Sequence, residues 1–300
     1  MSYRETLRRL DDHEHFGFRD GISQPGVIGY DTIGEIQPGS VVFGYPQAPG
    51  GPPFLPVNDP RGVTDNGSLL VFRRLQQNVG AFRKFCSDQA AVLAQAWPGI
   101  SPSIVGAYLV GRWPSGVPVA GQAADPGTQT PDNTFDFLAD QAGSVCPLGA
   151  HIRKVNPRKG PKDVLQIPRI LRRGVPFGRP FDEAPGDPER GLAFLAYQSS
   201  IREKFEFLTQ QWMNSDLNPG RGSDLLVGRG VGVRTMAVSG PHGDVTFTAP
   251  VDPWITPTGG AYLFAPARSA LRKFADPAPK LGLWKVRQLL SAALDAVMLR

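Results

Sequence analysis

Residues 68–97 read SLLVFRRLQQNVGAFRKFCSDQAAVLAQAW, and this stretch decides the fold. Its first part, Ser68–Leu75, is rich in apolar residues and is predicted to form a strand. Apolar residues then recur at helical intervals over Val79–Trp97, so we expect a helix there, with Asn78 as its N-cap and Pro98 at its end. Together the two elements predict one βα unit.

Further elements extend this pattern towards the C-terminus. They are a strand at Arg169–Arg173, a strand at Leu192–Gln198, a helix at Ile201–Met213 behind Ser199 and Ser200, a strand at Ala261–Ala265 and a terminal helix at Trp284–Leu299. Before that last helix the order reads βαββαβ, the split βαβ arrangement. It predicts an α+β fold, with a ferredoxin-like antiparallel sheet, helices on one face and long Gly/Pro-rich loops.

Turn-forming residues dominate the segment before the first strand. The chain contains 35 glycines and 30 prolines, and residues 37–66 are predicted to form a long surface loop with one short strand at Val41–Phe43. No second set of strands and helices precedes residue 68. The sequence therefore predicts an opening segment and loop over residues 1–67 and a ferredoxin-like domain over residues 68–300.

Composition and charge exclude several classes of protein. The 300 residues include 32 Lys and Arg and 27 Asp and Glu, a net charge of +5, and they hold no aromatic–basic motif for nucleic acid. No stretch approaches the roughly 20 apolar residues of a membrane span. The N-terminus has no apolar export segment, so we expect a cytoplasmic protein with no membrane partner. Cys86 and Cys146 are predicted to be free, buried thiols.

The chain has four histidines, and they differ in their surroundings. His13 and His15 alternate with carboxylates in DDHEH; they could touch a metal, but a solvated segment is favoured. His242 lies in a turn. His151 lies in PLGAHIRKVNPR beside Arg153, Lys154 and Arg158, and an imidazole among cations suits an anionic ligand or a cofactor that carries carboxylates. A hydrogen-bonded core histidine is the alternative.

Two other polar positions are candidates for a site. Asp20 lies in GFRDG, where Gly17 and Gly21 allow close backbone approach, so its carboxylate is either presented to a ligand or part of an ordinary Asx-turn. Arg172 and Arg173 are consecutive in a predicted strand, so one of them points inward. An inward arginine is costly without an anionic partner, which indicates a buried anion.

Five motifs, spread over about 250 residues, resemble the dye-decolourising (DyP-type) haem peroxidases. They are GFRDG with ISQP behind it, HIRKVNPR at 151–158, RILRRGVPFG at 169–178, GLAFLAYQ at 191–198 and GGAYLFAPA at 259–267. The resemblance implies a peroxidase that binds one haem b per chain in the domain at 68–300. Such an enzyme reduces H2O2 through a high-valent iron-oxo intermediate and oxidises dyes, phenolics or other aromatic donors.

The resemblance also implies roles for individual residues. His151 would be the proximal ligand of the haem iron, Asp20 would move the proton of H2O2, and Arg172 would stabilise the departing oxygen. The other haem contacts that it implies are Gly21, Ile22, Ser23, Asn156, Pro157, Arg158, Leu192 and Phe194. A carboxylate should accept from the second nitrogen of His151, and Asp224 is preferred to Asp216.

The chain departs from the family pattern at its N-terminus, because members usually carry a first ferredoxin-like domain ahead of GxxDG. We therefore expect an exposed sheet face, covered by a homo-oligomer or another partner. Two alternatives to the peroxidase are a haem-binding or iron-release (deferrochelatase-like) module and a truncated, inactive remnant. Electron relay through one of the tryptophans is possible, although a packing role is favoured for Trp97, Trp113, Trp212, Trp254 and Trp284.

Overall fold

The structure is a computed structural model. It describes residues 12–55, 59, 62–127, 133–158, 167–230, 232–240 and 242–275. The predicted terminal helix at Trp284–Leu299 lies outside these residues.

A four-stranded antiparallel sheet forms the frame of the molecule. Its strands are β1 (Ser68–Gln77), β2 (Leu171–Phe177), β3 (Gly191–Gln198) and β6 (Ile255–Ala265), in the order β2-β3-β1-β6. The strand predicted from residues 68–75 thus lies inside the sheet, and both of its neighbours run antiparallel to it. This is the strand order of a ferredoxin-like fold, as predicted.

The first predicted edge strand is displaced along the chain. We expected Arg169–Arg173, whereas β2 runs from Leu171 to Phe177 and includes Gly174 and Pro176. Proline cannot donate to a neighbouring strand, which argues against a central strand. Because β2 lies at the edge of the sheet, it accommodates Pro176.

Two predicted helices form with altered shapes. Helix α1 spans Val79–Leu93, where Asn78 Oδ1 accepts from the Ala81 N–H at 3.1 Å, and it ends four residues before the predicted end. The predicted helix 201–213 forms as two wide, π-type turns, Ile201–Glu206 and Leu208–Met213. Thr209 Oγ1 bonds the Phe205 carbonyl at 2.9 Å there, and such a bond competes with the regular helical ladder.

The predicted strand at Val41–Phe43 is wrong. A 3₁₀ turn at Pro38–Ser40 runs directly into this segment, and the Val42 N–H bonds the Pro38 carbonyl at 2.8 Å. Val41 and Phe43 are nevertheless buried. Their apolar character therefore reflects packing of a turn and not strand formation.

Three further helices and a hairpin complete the described fold. They are α2 (Pro102–Val110), α3 (His151–Val155), α4 (Arg268–Ala275) and the hairpin of β4 (Thr235–Gly240) with β5 (Gly243–Thr248). The hairpin was not predicted, although Met236 and Val238 alternate with polar or small neighbours and are both buried, the pattern of a half-buried strand. Within the described residues, no helix has both the length and the apolarity that a bilayer span requires.

The main core lies where α1 meets this hairpin and the segment ahead of β1. Phe82 of α1 stacks on Phe16 with ring centroids 4.4 Å apart, and it packs edge-on against Phe18 and Trp254. The chain around residues 16–18 is thereby fixed against α1. This contact determines where Asp20, two residues later, is held.

Both cysteines are buried and free, as predicted. Cys86 lies in α1, and Cys146 lies just ahead of α3. Burial raises the pKa of each thiol to about 12. Both side chains are therefore protonated at neutral pH.

Candidate functional site

A cavity of about 480 Å³ lies between one face of the sheet and the helical segments. Arg73, Leu75 and Gln77 of β1 line it from the sheet, and Phe205 and Leu208 line it from the π-type turns. Of the residues implied by the family resemblance, the cavity brings together Asp20, Ile22, Ser23, His151, Asn156, Arg158, Arg172, Leu192 and Phe194.

Gly21 and Pro157 are the two predicted haem contacts that do not line this cavity. Gly21 has a φ of 82°, in the left-handed region that favours glycine, so it turns the backbone directly after Asp20. Pro157 is buried beside the cavity wall. Both residues shape the backbone around the site.

Asp20 and Arg172 form an ion pair inside the cavity, with Arg172 Nη1 2.6 Å from Asp20 Oδ1. Burial acts to raise the pKa of Asp20, but the Arg172 guanidinium outweighs it and holds the pKa below its ordinary value of 3.8. The carboxylate is therefore ionised at neutral pH. Its second oxygen, Oδ2, is buried and has no hydrogen-bond partner among the described residues.

Close approach of the backbone makes this ion pair possible. Gly174 follows Arg172 by two residues in β2, and a Cβ at Gly174 would lie only 2.1 Å from Asp20 Oδ2. Gln24 joins the loop to the same strand, because its Oε1 accepts from the Arg172 N–H at 3.1 Å while its Nε2 donates to the Arg172 carbonyl. Sequence reasoning missed both residues, although the ISQP motif contains Gln24.

His151 is the first residue of α3, and its ring is oriented by Asp224. Nδ1 lies 2.8 Å from Asp224 Oδ2, and the other carboxylate oxygen accepts from the N–H groups of Leu226 and Val227 at 3.0 Å each. Asp224, and not Asp216, is thus the partner of His151. Nε2 makes no hydrogen bond to any described residue, which leaves it available as a ligand atom.

Two of the cations near His151 in sequence do not face the cavity, so the argument from a basic neighbourhood was wrong for them. Arg153 is buried and pairs with Asp140 at 2.8 Å. Lys154 is fully buried and donates to three carbonyl groups, those of Ser215, Asn218 and Gly220, at 2.7–2.9 Å. Their hydrogen bonds direct both side chains to other parts of the chain, and neither residue lines the cavity.

The hydrogen bonds of Lys154 connect α3 to the loop that follows the π-type turns. Burial lowers its pKa to about 8, against the opposing effect of Asp224 and Asp216, so the ammonium remains protonated at pH 7. Its three protons match its three carbonyl acceptors. Lys154 therefore positions His151 through the short helix that carries both residues.

Cationic and polar side chains line the end of the cavity near α3. Arg112, which was not predicted, donates to Ser23 Oγ at 2.9 Å, and Arg158 donates to the Asn133 and Phe135 carbonyls at 2.7 and 3.0 Å. Both guanidinium groups lie over the Phe135 ring. This end of the cavity is positively charged.

Within the DDHEH motif, His15 is packed and not solvated, which corrects the prediction for that residue. Its side chain is 3% exposed, and Nε2 lies 2.7 Å from the Phe177 carbonyl. Glu14 lines the cavity, accepts from the N–H groups of Phe16 and Phe18, and has a pKa raised by burial. Glu14 is thus a second carboxylate near Asp20 that the sequence motifs did not single out.

Comparison with known proteins identifies the family. Residues 108–226 match the sequence profile described as Dyp-type peroxidase, C-terminal. A dye-decolorizing peroxidase of Mycetinis scorodonius is 34% identical over 298 residues, covering 87% of this chain and 56% of that protein. The chain belongs to the Dyp-type peroxidase family.

Other Dyp-type peroxidases give the same match. A multifunctional dye peroxidase of an Amycolatopsis species is 35% identical, over 87% of this chain and 61% of that protein. The solved structure of an ancestral D-type dye decolorizing peroxidase superposes with a TM-score of 0.73 at 34% identity, over 89% of this chain and 64% of the other. The ferredoxin-like fold is confirmed, and the chain spans somewhat more than half the length of these relatives.

Lys154 provides a test of how α3 is held. Lys154→Met keeps the length of the side chain but leaves three partly buried carbonyls without this donor, so we expect it to lower the free energy of unfolding by about 3 kcal/mol. Urea denaturation followed by circular dichroism measures this change. Lys84→Met, at an exposed position, is the control and should stay within about 0.5 kcal/mol. Equal stability of the two variants would contradict the anchoring role.

Proposed function

We propose that this chain forms the haem-binding part of a peroxidase that reduces H2O2 and oxidises dyes, phenolics or other aromatic donors. One observation carries the proposal: His151 faces the same cavity as the Asp20–Arg172 pair. A ligand nitrogen and an acid–cation pair around one cavity suit a metal-centred oxidation. The proposed domain division is residues 1–67 for the loop with GxxDG and residues 68–300 for haem binding.

The residues that line the cavity fit haem b, one per chain. In this proposal His151 Nε2 would ligate the iron, and Arg158 and Ser23 would hold the propionates at the cationic end of the cavity, which Asn156 also lines. Leu192 and Phe194 contribute an apolar wall that excludes water. When bound, haem supplies the iron that accepts the electrons of the donors and passes them to peroxide.

Asp20 is the proposed proton carrier. An ionised carboxylate with an unshared oxygen can take the proton from one oxygen of H2O2 and return it to the other. Arg172 has two effects in this step: it keeps Asp20 ionised and stabilises negative charge on the departing oxygen. Asp224 accepts from His151 Nδ1, which fixes the ring and makes Nε2 a stronger donor.

The names of the relatives support aromatic compounds as the electron donors. Several are named dye-decolorizing peroxidases, and one solved structure of the family, with a TM-score of 0.73 and 31% identity, is described as a complex with 2,6-dimethoxyphenol. We therefore propose H2O2 and small aromatic reductants as the substrates of this chain.

Substitution in the acid–cation pair tests the proposal. Asp20→Asn removes the base without changing its shape, and Arg172→Ala removes the cation; we expect each to lower kcat/KM for H2O2 roughly a hundredfold to a thousandfold. Both variants should retain the Soret band, whereas His151→Ala should lose it. Arg173→Ala, the exposed neighbour, is the control. Haem binding without peroxide turnover in the unsubstituted chain would favour the haem-binding or iron-release alternative.

The pH dependence provides an independent test of the ion pair. The pKa of Asp20 lies below 3.8, so kcat/KM for H2O2 should fall only when the pH drops through that lowered value. Arg172→Ala removes the group that contributes most to offsetting burial, which raises the pKa of Asp20 and should move the acidic limb to higher pH. Arg173→Ala should leave the limb in place. An unshifted limb in Arg172→Ala would show that a different group titrates.

We also propose that a second protein surface, another copy or a different chain, covers the sheet face opposite the cavity. Alternation along β1 directs Leu70 and Phe72 to that face, and Leu263 of β6 is 46% exposed. If the cover is another copy, sedimentation equilibrium of the chain alone should give a molar mass above that of the monomer. Leu263→Glu should lower this mass towards the monomer value. A soluble, strictly monomeric wild-type chain would exclude another copy of this chain as the cover.

A further inference from the structure

The segment that precedes Asp20 folds as a short hairpin. The Glu14 N–H donates to the Phe18 carbonyl at 3.0 Å, and the Asp20 N–H donates to the Asp12 carbonyl at 2.8 Å, the pattern of an antiparallel ladder. In this register Glu14 lies opposite Phe18, and Asp12 lies opposite Asp20. Because alternate residues of a strand share a face, Glu14 and Asp20 are diagonal neighbours on one face, about 7–8 Å apart.

Glu14 and Asp20 both line the cavity, and their surroundings shift their pKa values in opposite directions. Burial acts to raise both pKa values, but at Asp20 the Arg172 guanidinium outweighs it and the pKa is lowered. At Glu14 burial prevails over three hydrogen bonds from N–H groups, and the charge of Asp20 raises the pKa further. Two carboxyl groups that differ in this way have different roles in proton transfer: Asp20 is the base, and Glu14 holds a proton more readily.

Gln77, the last residue of β1, is a neutral contact of Glu14 from the sheet. Its side chain is 5% exposed and lines the cavity, and its Nε2 donates to Glu14 Oε2 at 2.5 Å. The other polar atom of this amide, Oε1, is buried and has no partner among the described residues. Since buried polar atoms nearly always have a partner, Gln77 Oε1 requires a donor inside the cavity.

Asp20 Oδ2 is a second buried acceptor without a partner in the described part of the chain. Two acceptors cannot satisfy each other, but one water molecule has two protons and can donate to both. The same water can accept from Glu14 when that carboxyl group is protonated. Side chains that start about 7–8 Å apart are within reach of one such bridge, which spans two hydrogen bonds of about 2.8 Å each.

Glu206 provides a comparison, because among the described residues it is the other carboxylate that lines the cavity. It lies in the π-type turns and accepts from the Tyr262 hydroxyl at 3.0 Å. Arg73 donates to the same hydroxyl at 3.0 Å. These partners belong to β6 and β1 and not to the hairpin, so Glu206 is held at a different part of the cavity from Asp20.

We propose that Glu14 is a proton-relay residue, which passes protons to Asp20 through one water held by Gln77 Oε1. This role rests on the proposed function. Reduction of one H2O2 to two waters consumes two electrons and two protons. Cleavage of the O–O bond needs no net proton, because Asp20 returns the proton that it takes. The two protons are needed when the donors supply electrons: each moves from Glu14 to the water and from the water to Asp20, and Glu14 regains one from solvent.

Steady-state kinetics of the haem-loaded chain with ferrocyanide separate the two halves of the reaction. Ferrocyanide gives up an electron and carries no proton, so both protons must come through the protein. In Glu14→Gln we expect kcat/KM for ferrocyanide to fall about tenfold or more, while kcat/KM for H2O2 stays close to the unsubstituted value. Glu206→Gln, the same change elsewhere in the cavity, is the control and should lower neither constant. Equal falls of both constants in Glu14→Gln, or a fall in neither, would overturn the relay.

Gln77→Met tests the bridging water and leaves the backbone hydrogen bonds of Glu14 in place. Methionine has a similar length but no amide, so the water loses the acceptor that holds it. We expect kcat/KM for ferrocyanide to fall in this variant, again with little change in kcat/KM for H2O2. Because both residues act in one path, adding Gln77→Met to Glu14→Gln should cause little further loss. Unchanged kinetics in Gln77→Met, or additive losses in the double variant, would overturn the role of the water.

Infrared difference spectroscopy during an acid titration gives a readout that does not depend on turnover. The C=O stretch of protonated Glu14 is the band that Glu14→Gln removes. Asp20→Asn removes a charge that raises the pKa of Glu14, so the band should appear only at lower pH than in the unsubstituted chain. An unmoved midpoint would overturn the coupling of the two carboxyl groups. If the unsubstituted chain does not reduce H2O2, the proposed function fails, while this midpoint still decides whether Glu14 and Asp20 act on each other.

Discussion

The ion pair between Asp20 and Arg172 is the interaction on which the cavity depends. Two partly buried charges from distant parts of the chain stabilise each other only if their geometry is fixed. Packing of Phe16 on α1 fixes the loop, Gln24 joins that loop to β2, and Gly174 leaves room for the carboxylate. The aromatic core, the edge strand and the Gly/Pro-rich loop thus all contribute to one 2.6 Å contact.

On the opposite side of the cavity, tertiary contacts likewise fix the position of a functional side chain, that of His151. Helix α3 has only five residues, too few to be stable alone, so tertiary contacts must hold it. Lys154 and Arg153 do so from its buried face, and Asp224 orients His151. Basic residues near a histidine therefore had two different roles here. Two of them support the helix, and Arg158 reaches the cavity.

Much of the fold followed from local patterns, because β1 and α1 carry clear strand and helix periodicities and a side-chain cap. The predictions of secondary structure failed where tertiary packing overrides local conformational preference, as for the buried turn at Val41–Phe43. Motifs identified Asp20, His151 and Arg172 as members of one site. They did not identify Arg112, whose contact with Ser23 joins positions 89 residues apart, or Glu14, which lies outside the motifs.

Burial of the two thiols has a consequence for a protein proposed to consume H2O2. Peroxide attacks thiolates, and a pKa of about 12 keeps Cys86 and Cys146 almost entirely in the unreactive form. Neither side chain offers the oxidant an exposed sulfur. The fold therefore protects the chain against self-inactivation by sulfenic acid formation, so its lifetime in oxidant should be limited by other residues.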